Sequence, residues 1–285
     1  MPINTATGWS DSPFISRDGK RLYFMYSRYD FGPWLLSGDM PLASGPDRPG
    51  LHKSATNPFD ESDIYVATKN PDGTWTEPVN LGLNGAYGDS SGMEINGGRT
   101  FVWLQGNETT NNIVVADKNP DGTWGAPTDP GSAINDHSPG VIQDNPYLSA
   151  DGSALFFTSS RTGGAGGKDI WFSSKSGGIW SAPVNAGAPF SSAGDDDQIW
   201  LSPVGPDIYW NGPQGLMHCV SNGSTCSGTP DLVTIAGCDF PAEVSIPDDG
   251  QTLYFGCGNL TTGRVKIMYS TKQMNGSWGP ATPVD

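Results

Sequence analysis

Residues 13–28 read PFISRDGKRLYFMYSR: a short alternating run, a polar Asp-Gly turn, then a second run rich in aromatic residues. Alternation broken by such a turn predicts a β-hairpin. The pattern recurs in MEINGGRTFVWL (93–104), PYLSADGSALFFTSSR (146–161), IWLSPVGPDIYW (199–210) and AEVSIPDDGQTLYFG (242–256). A second hairpin follows in DIYVATKNPDGTWTEPV (63–79), NIVVADKNPDGTWGAP (112–127), DIWFSSKSGGIWSAPV (169–184) and IMYSTKQMNGSWGP (267–280). Its tryptophans, Trp75, Trp124, Trp180 and Trp278, are separated by 49, 56 and 98 residues, and the last gap is two periods. The missing copy falls in GLMHCVSNGSTCSGTPDLV (215–233), where the Cys226 region replaces the tryptophan. Two hairpins every ~50 residues, five times over, predict an all-β chain, a five-bladed β-propeller of four-stranded antiparallel blades.

The expected layout is one propeller domain over 1–285, with blades near 9–82, 83–130, 131–187, 188–235 and 236–285. Blade one carries an insertion at 29–62, about 34 residues against about eight in the matching connections of blades two and three. A loop of that length, with Trp34, Met40, Arg48, His52 and Phe59, is expected to be a lid or binding loop.

Composition fits this layout. Gly and Pro together reach about 22% of the chain, against a norm near 12%, as a turn-dense β protein requires. Thirty acidic against fifteen basic residues give a net charge of −15. Nucleic acid is therefore not an expected partner, because phosphate affinity comes from Lys and Arg. No run of apolar residues is long enough for a membrane-spanning helix. The four cysteines flank two hairpins, and the expected pairs are Cys219–Cys226 and Cys238–Cys257. Disulfides place the chain in a secreted or periplasmic setting, with the signal peptide absent from this sequence.

The PxxSxDGxxLYFxSxR…DIYxxxxxxDGxWxxPVN pattern, clearest in blades one and three, resembles the TolB-type, WD-repeat-like propeller family. The resemblance covers nearly the whole chain and implies the fold. It leaves function open, because such propellers serve as binding modules, platforms and enzymes alike.

In a propeller the first strand of each blade lines the channel. Aligning those strands on Ser16, Asn96, Ser149, Ser202 and Ser245 puts Phe14, Glu94, Tyr147, Trp200 and Glu243 at one channel-facing position. Glu94 and Glu243 then converge with Asn145 and Gln198. Oxygen ligands of this kind suit a divalent cation, calcium first and zinc second. Aspartates at the strand mouths (Asp11, Asp89, Asp144, Asp197 and Asp239) form an expected acidic collar, of which Asp11, Asp144 and Asp197 join the candidate metal ligands. His52 and His137, in long connections on the same face, are candidate acid–base groups beside Glu94 and Glu243. Trp34, Tyr147, Trp200, Arg28 and Arg161 are candidate substrate contacts. GGAGG (163–167) follows no Rossmann strand and is read as a turn, and no GxSxG elbow is present.

Three functions follow. The first is a hydrolase with a metal-assisted site, acting on a lactone, ester or phosphoester. The second is a glycoside hydrolase using Glu94 and Glu243 as acid and base. The third is a non-catalytic propeller that binds a glycan, peptide or protein. The expected partners are accordingly a small-molecule or glycan ligand, or a protein.

Overall fold

The computed structural model describes residues 2–54, 56–83, 85–107, 111–223 and 225–285. The fold is an all-β five-bladed propeller built of small antiparallel sheets. Blade one pairs Trp9–Ile15, Arg21–Ser27, Asp63–Thr68 and Val79–Asn80 in that order. Blade two pairs Gly88–Ile95, Thr100–Gly106 and Asn111–Asp117, and an isolated bridge from Val115 to Thr128 stands where a fourth strand would run. Blade three begins with Gln143–Leu148, Ala154–Ser159 and Asp169–Ser176, the last pairing with both Ile179–Trp180 and Val184–Asn185. Blade four runs Asp197–Leu201, Asp207–Gly212, Gly215–Ser221 and Cys226–Leu232. Blade five runs Phe240–Ser245, Thr252–Gly258, Val265–Thr271 and Thr282–Pro283.

The chain divides into two compact units. The first comprises Met1–Gly92 and Thr234–Asp285, and the second Met93–Val233. In the first, Leu22, Phe24, Tyr26 and Tyr65 pack with Tyr254 and Ile267, all at most 3% exposed. In the second, Ile170, Phe190, Ile199, Ile208 and Trp210 form the equivalent core.

The repeated tryptophans have a common role. Each bridges back to a lysine and lies under its ammonium group: Lys69 over Trp75 at 5.5 Å, Lys118 over Trp124 at 4.7 Å, Lys175 over Trp180 at 5.1 Å and Lys272 over Trp278 at 5.8 Å. In blade four Cys226 pairs with Ser221 as Trp180 pairs with Lys175, and its disulfide to Cys219 replaces the ring contact. The second expected disulfide, Cys238–Cys257, is also formed.

The described residues of the blade-one insertion form short elements. Tyr29–Asp30 pairs with Leu42–Ala43, a short helix spans Gly32–Ser37, and a 3-10 turn spans Pro58–Asp60. Arg48 anchors it. Its guanidinium lies 4.3 Å from the Tyr26 ring centre and donates to the Pro2 and Ile3 carbonyls. Trp34 packs on Phe59, Phe59 on Phe31 and Phe31 on Trp9, which leaves Trp34 41% exposed at the end of an aromatic row.

Candidate active site

Every first strand carries one non-glycine residue at positive φ: Ser12 (52°), Ser91 (47°), Asn145 (44°), Gln198 (34°) and Glu243 (53°). In blades one, three, four and five a register shift falls at the same place, between Asp11 and Phe14, Asp144 and Tyr147, Asp197 and Ile199, and Ala242 and Ser245. These are β-bulges, which re-aim the side chains around them. Left-handed backbone costs most residues about 1 kcal/mol or more, and such strain gathers at functional positions.

The bulge corrects the sequence alignment. Glu243 is itself the positive-φ residue, equivalent to Ser12, Asn145 and Gln198, whereas Glu94 lies three residues beyond Ser91. The two glutamates therefore do not occupy one ring position. The hairpin turns show why: Gly19, Gly152, Gly250 and Gly98 donate back to Ser16, Ser149, Pro247 and Ile95, so Pro247 and Ile95, not Ser245 and Asn96, are the counterparts of Ser16.

The collar divides by the same criterion. Asp11, Asp144 and Asp197 immediately precede the positive-φ residue. The Asn145 N–H donates to Asp144 Oδ1 at 2.7 Å, and the Gln198 N–H to Asp197 Oδ1 at 2.9 Å. The Ser12 N–H likewise bonds Asp11. Aspartate suits this position because its carboxylate takes up an N–H that the bulge removes from the ladder. Asp89 instead holds the Gly85 N–H, and Asp239 the Asn259 amide and Leu260 N–H. These two are turn caps, and the five aspartates are not one ring.

In the first unit Asp11 hydrogen-bonds to Glu243 and accepts from the Trp9 indole at 3.2 Å. Burial pushes the Asp11 carboxyl up, and its hydrogen bonds only partly offset that. Burial at this pair thus favours the protonated form of Asp11.

In the second unit Asp144 and Asp197 stand on neighbouring bulges with Lys168. Lys168 Nζ lies 2.7 Å from Asp197 Oδ2, while Asn145 Nδ2 and Thr158 Oγ1 each donate to Asp197 Oδ1 at 2.7 Å. With the Gln198 N–H, Asp197 receives four donors, three on Oδ1 and Lys168 on Oδ2. Burial opposes its charge, but Lys168 and these bonds outweigh burial and hold Asp197 below the usual carboxylate range. Asp144 has the opposite balance. Desolvation first, and the Asp197 charge second, push it up to about 7 against the pull of Lys168. Burial disfavours the Lys168 charge, yet Asp197 and Asp144 raise its pKa overall. Part of each side chain stays in reach of solvent, with Asp197 23% and Lys168 29% exposed.

The expected cation does not fit this set. Lys168 already supplies the positive charge, and among the described residues no three His, Cys, Asp or Glu side chains gather as metal ligands.

The other candidates are placed as follows. In the first unit, the His52 N–H binds the Asp63 carboxylate and its Nδ1 lies 3.2 Å from the Asp60 carbonyl; burial pushes Asp63 up to about 6. Arg28 makes a bidentate pair with buried Glu61, both contacts at 2.7 Å. In the second unit, His137 Nε2 lies 3.3 Å from Asp129 and its side chain is 55% exposed. Arg161 donates to the Ala133 and Ile134 carbonyls and lies over Phe157 and Trp171. Tyr147 donates its hydroxyl to the Leu201 carbonyl, and Trp200 is buried against Tyr209. Both arginines and Tyr147 thus spend donors within the protein. Lys168 and Thr158 were missed by the sequence reading; Lys168 alone left a signal there, as the lone cation after a run of small residues.

No family model matches the chain, and no curated protein matches it in sequence. Solved structures do match in fold. A thermostable family-43 glycoside hydrolase aligns over 98% of this chain and 95% of its own, at 11% identity and a TM-score of 0.59. The xyloglucan-locus protein GH43B of Bacteroides ovatus aligns over 98% of this chain and 55% of its own, at 12% identity and 0.50. TolB from Acinetobacter baumannii aligns over 95% and 68%, at 13% identity and 0.49. At these identities the likeness establishes the propeller fold alone.

Proposed function

We propose that the chain is a propeller hydrolase in which Asp144 carries the proton, acting on a lactone or ester. The observation that carries this reading is the division of labour on the two bulges. Asp197 is an anion held by four donors and paired with Lys168, and Asp144, with one hydrogen bond among the described residues, is held at about 7. A carboxyl group poised near neutrality is an efficient general base. Ionised Asp144 takes a proton from water as the water oxygen attacks the carbonyl carbon. Protonated Asp144 then returns the proton to the departing alkoxide. Phosphoesters fit less well, because Asp144, Asp195 and Asp197 surround a single lysine and repel a phosphate.

A glycosidic substrate is the second reading, supported by the match along nearly the full length of both chains to a family-43 glycoside hydrolase. It asks for a second carboxylate with free lone pairs beside Asp144. Asp197 has its Oδ1 taken by three donors and its Oδ2 held by Lys168, and this engagement favours the ester. The two disulfides support an extracytoplasmic, oxidising setting for either reaction.

The test is turnover of aryl esters, lactones and aryl glycosides, with and without chelator, by the wild type and Asp144→Asn. Ester or lactone cleavage that rises through pH ~7, survives chelation and collapses in the variant is expected. A silent panel, or full activity in Asp144→Asn, would sink the proposal. Loss of activity on chelation would restore the metal-assisted reading.

A further inference from the structure

The glycine-rich run Gly163–Gly167 is a turn, but its glycines are demanded by what the turn approaches. A Cβ on Gly166 would overlap the Gly194 carbonyl oxygen, and one on Gly167 the Asp195 carboxylate. Side chains are excluded there because two backbone segments run together. The Gly167 N–H donates to the Gly194 carbonyl at 3.2 Å, the Lys168 N–H to Asp195 Oδ1 at 2.8 Å, and the Asp196 N–H to the Lys168 carbonyl at 2.8 Å. Asp169 fixes the base of the turn by accepting the Ala165 and Gly166 N–H groups at 2.8 and 3.3 Å. The result is that Lys168, at the end of the run, reaches Asp197 on the next blade at 2.7 Å.

The geometry points to Lys168 as a positioning residue, delivered by the glycine run, that fixes Asp197 as an anion and leaves Asp144 as the one proton carrier of the cluster. This rests on Asp144 being that carrier in the proposed reaction. Without Lys168 the two carboxyl groups would face each other with no cation between them, and would hold one proton in common. Neither would then be reserved for substrate. The charged groups facing Lys168 are Asp144 from the first strand of blade three, Asp197 from that of blade four, and Asp195 from the connection between them. Asp196 accepts the Ser192 N–H and feels the charges of Asp169 and Asp195. Lys168 contributes through Asp197 and by its charge, so an arginine able to reach Asp197 would serve in its place.

Two measurements that need no substrate test this. In the first, aspartate 13Cγ shifts are followed by NMR against pH in wild type, Lys168→Met and Lys168→Arg. The Asp144 midpoint is expected to rise by about one pH unit or more in Lys168→Met and to return close to wild type in Lys168→Arg. An unchanged midpoint in a Lys168→Met protein that melts as wild type overturns the inference. In the second, wild-type protein is treated briefly with acetic anhydride and its lysines are mapped by mass spectrometry. Lys168 is expected to react at least ten times more slowly than exposed Lys20, and equal reactivity overturns the inference even if Lys168→Met does not fold. If ester and lactone panels are silent while both results hold, the hydrolase reading falls and the role of Lys168 stands. If turnover depends on Asp144 while the midpoint ignores Lys168, the reverse is true.

Discussion

The two units solve one electrostatic problem in different ways. Each mounts an aspartate just before a positive-φ bulge residue and brings a second carboxyl group to it, Glu243 to Asp11 in the first unit and Asp197 to Asp144 in the second. The first unit joins its pair by a hydrogen bond beside the Trp9 indole, where burial raises the Asp11 carboxyl. The second imports an ammonium group, which makes one carboxylate permanent and leaves the other to titrate. The same bulge thus yields a closed hydrogen bond in one case and a poised acid in the other. What differs is a single cation.

The largest effect expected from breaking this asymmetry is on turnover. Asp144→Asn should lower the rate on any hydrolysed substrate by on the order of 100- to 10,000-fold with the fold intact. Asp11→Asn, in the hydrogen-bonded pair with Glu243, should leave the rate within about threefold, and steady-state assays of both variants check the contrast. Next comes Asp197→Ala, which strands Lys168 and should cost on the order of 3 kcal/mol in urea unfolding.

Smaller effects separate the units further. Cys238→Ser with Cys257→Ser opens a loop with a separation of 19, against 7 for Cys219 and Cys226. The first pair should cost about 3 kcal/mol and the second about 2, as read from thermal melts. Glu243→Gln should be the mildest and of opposite sign. The glutamine amide donates to Asp11 without bringing a second carboxyl charge, and stability at pH 7 should rise by about 1 kcal/mol.

The pH dependence follows from the raised carboxyl groups. Asp144 is protonated more readily in the folded state than in the unfolded one, so its contribution is complete below the ordinary value of 3.8 and is lost as pH climbs to about 7. Melting temperature should fall across that window in the wild type and do so less in Asp144→Asn. An identical slope in both proteins would remove Asp144 as the titrating group.

How much of this was legible in the sequence depended on whether the signal was local. The blade count came from the tryptophan spacing, and both disulfides from cysteines flanking hairpins, because each feature repeats or closes within a few tens of residues. The acidic residues before the first strands were visible too, and Asp11, Asp144 and Asp197 prove to share a position. The bulge itself was not visible. It needs no glycine, being occupied by Ser, Asn, Gln and Glu, and the match of Glu94 with Glu243 failed because Pro247 and Ile95 stand where a serine marks the turn in blades one and three. Lys168 was passed over because its partner is 29 residues away and the intervening GGAGG looks like any other turn.

The outermost strands have a consequence beyond the site. In blades one, three and five the last strand pairs over only two residues, Val79–Asn80, Val184–Asn185 and Thr282–Pro283, each preceded closely by proline. Where the last strand is longer, at Cys226–Leu232, Gly228 adopts φ 84° and Pro230 removes a donor. Edges this short or interrupted give another polypeptide almost nothing to extend, so the rim resists cross-β stacking between molecules. The proline and glycine that punctuate the repeat therefore also act as gatekeepers against aggregation.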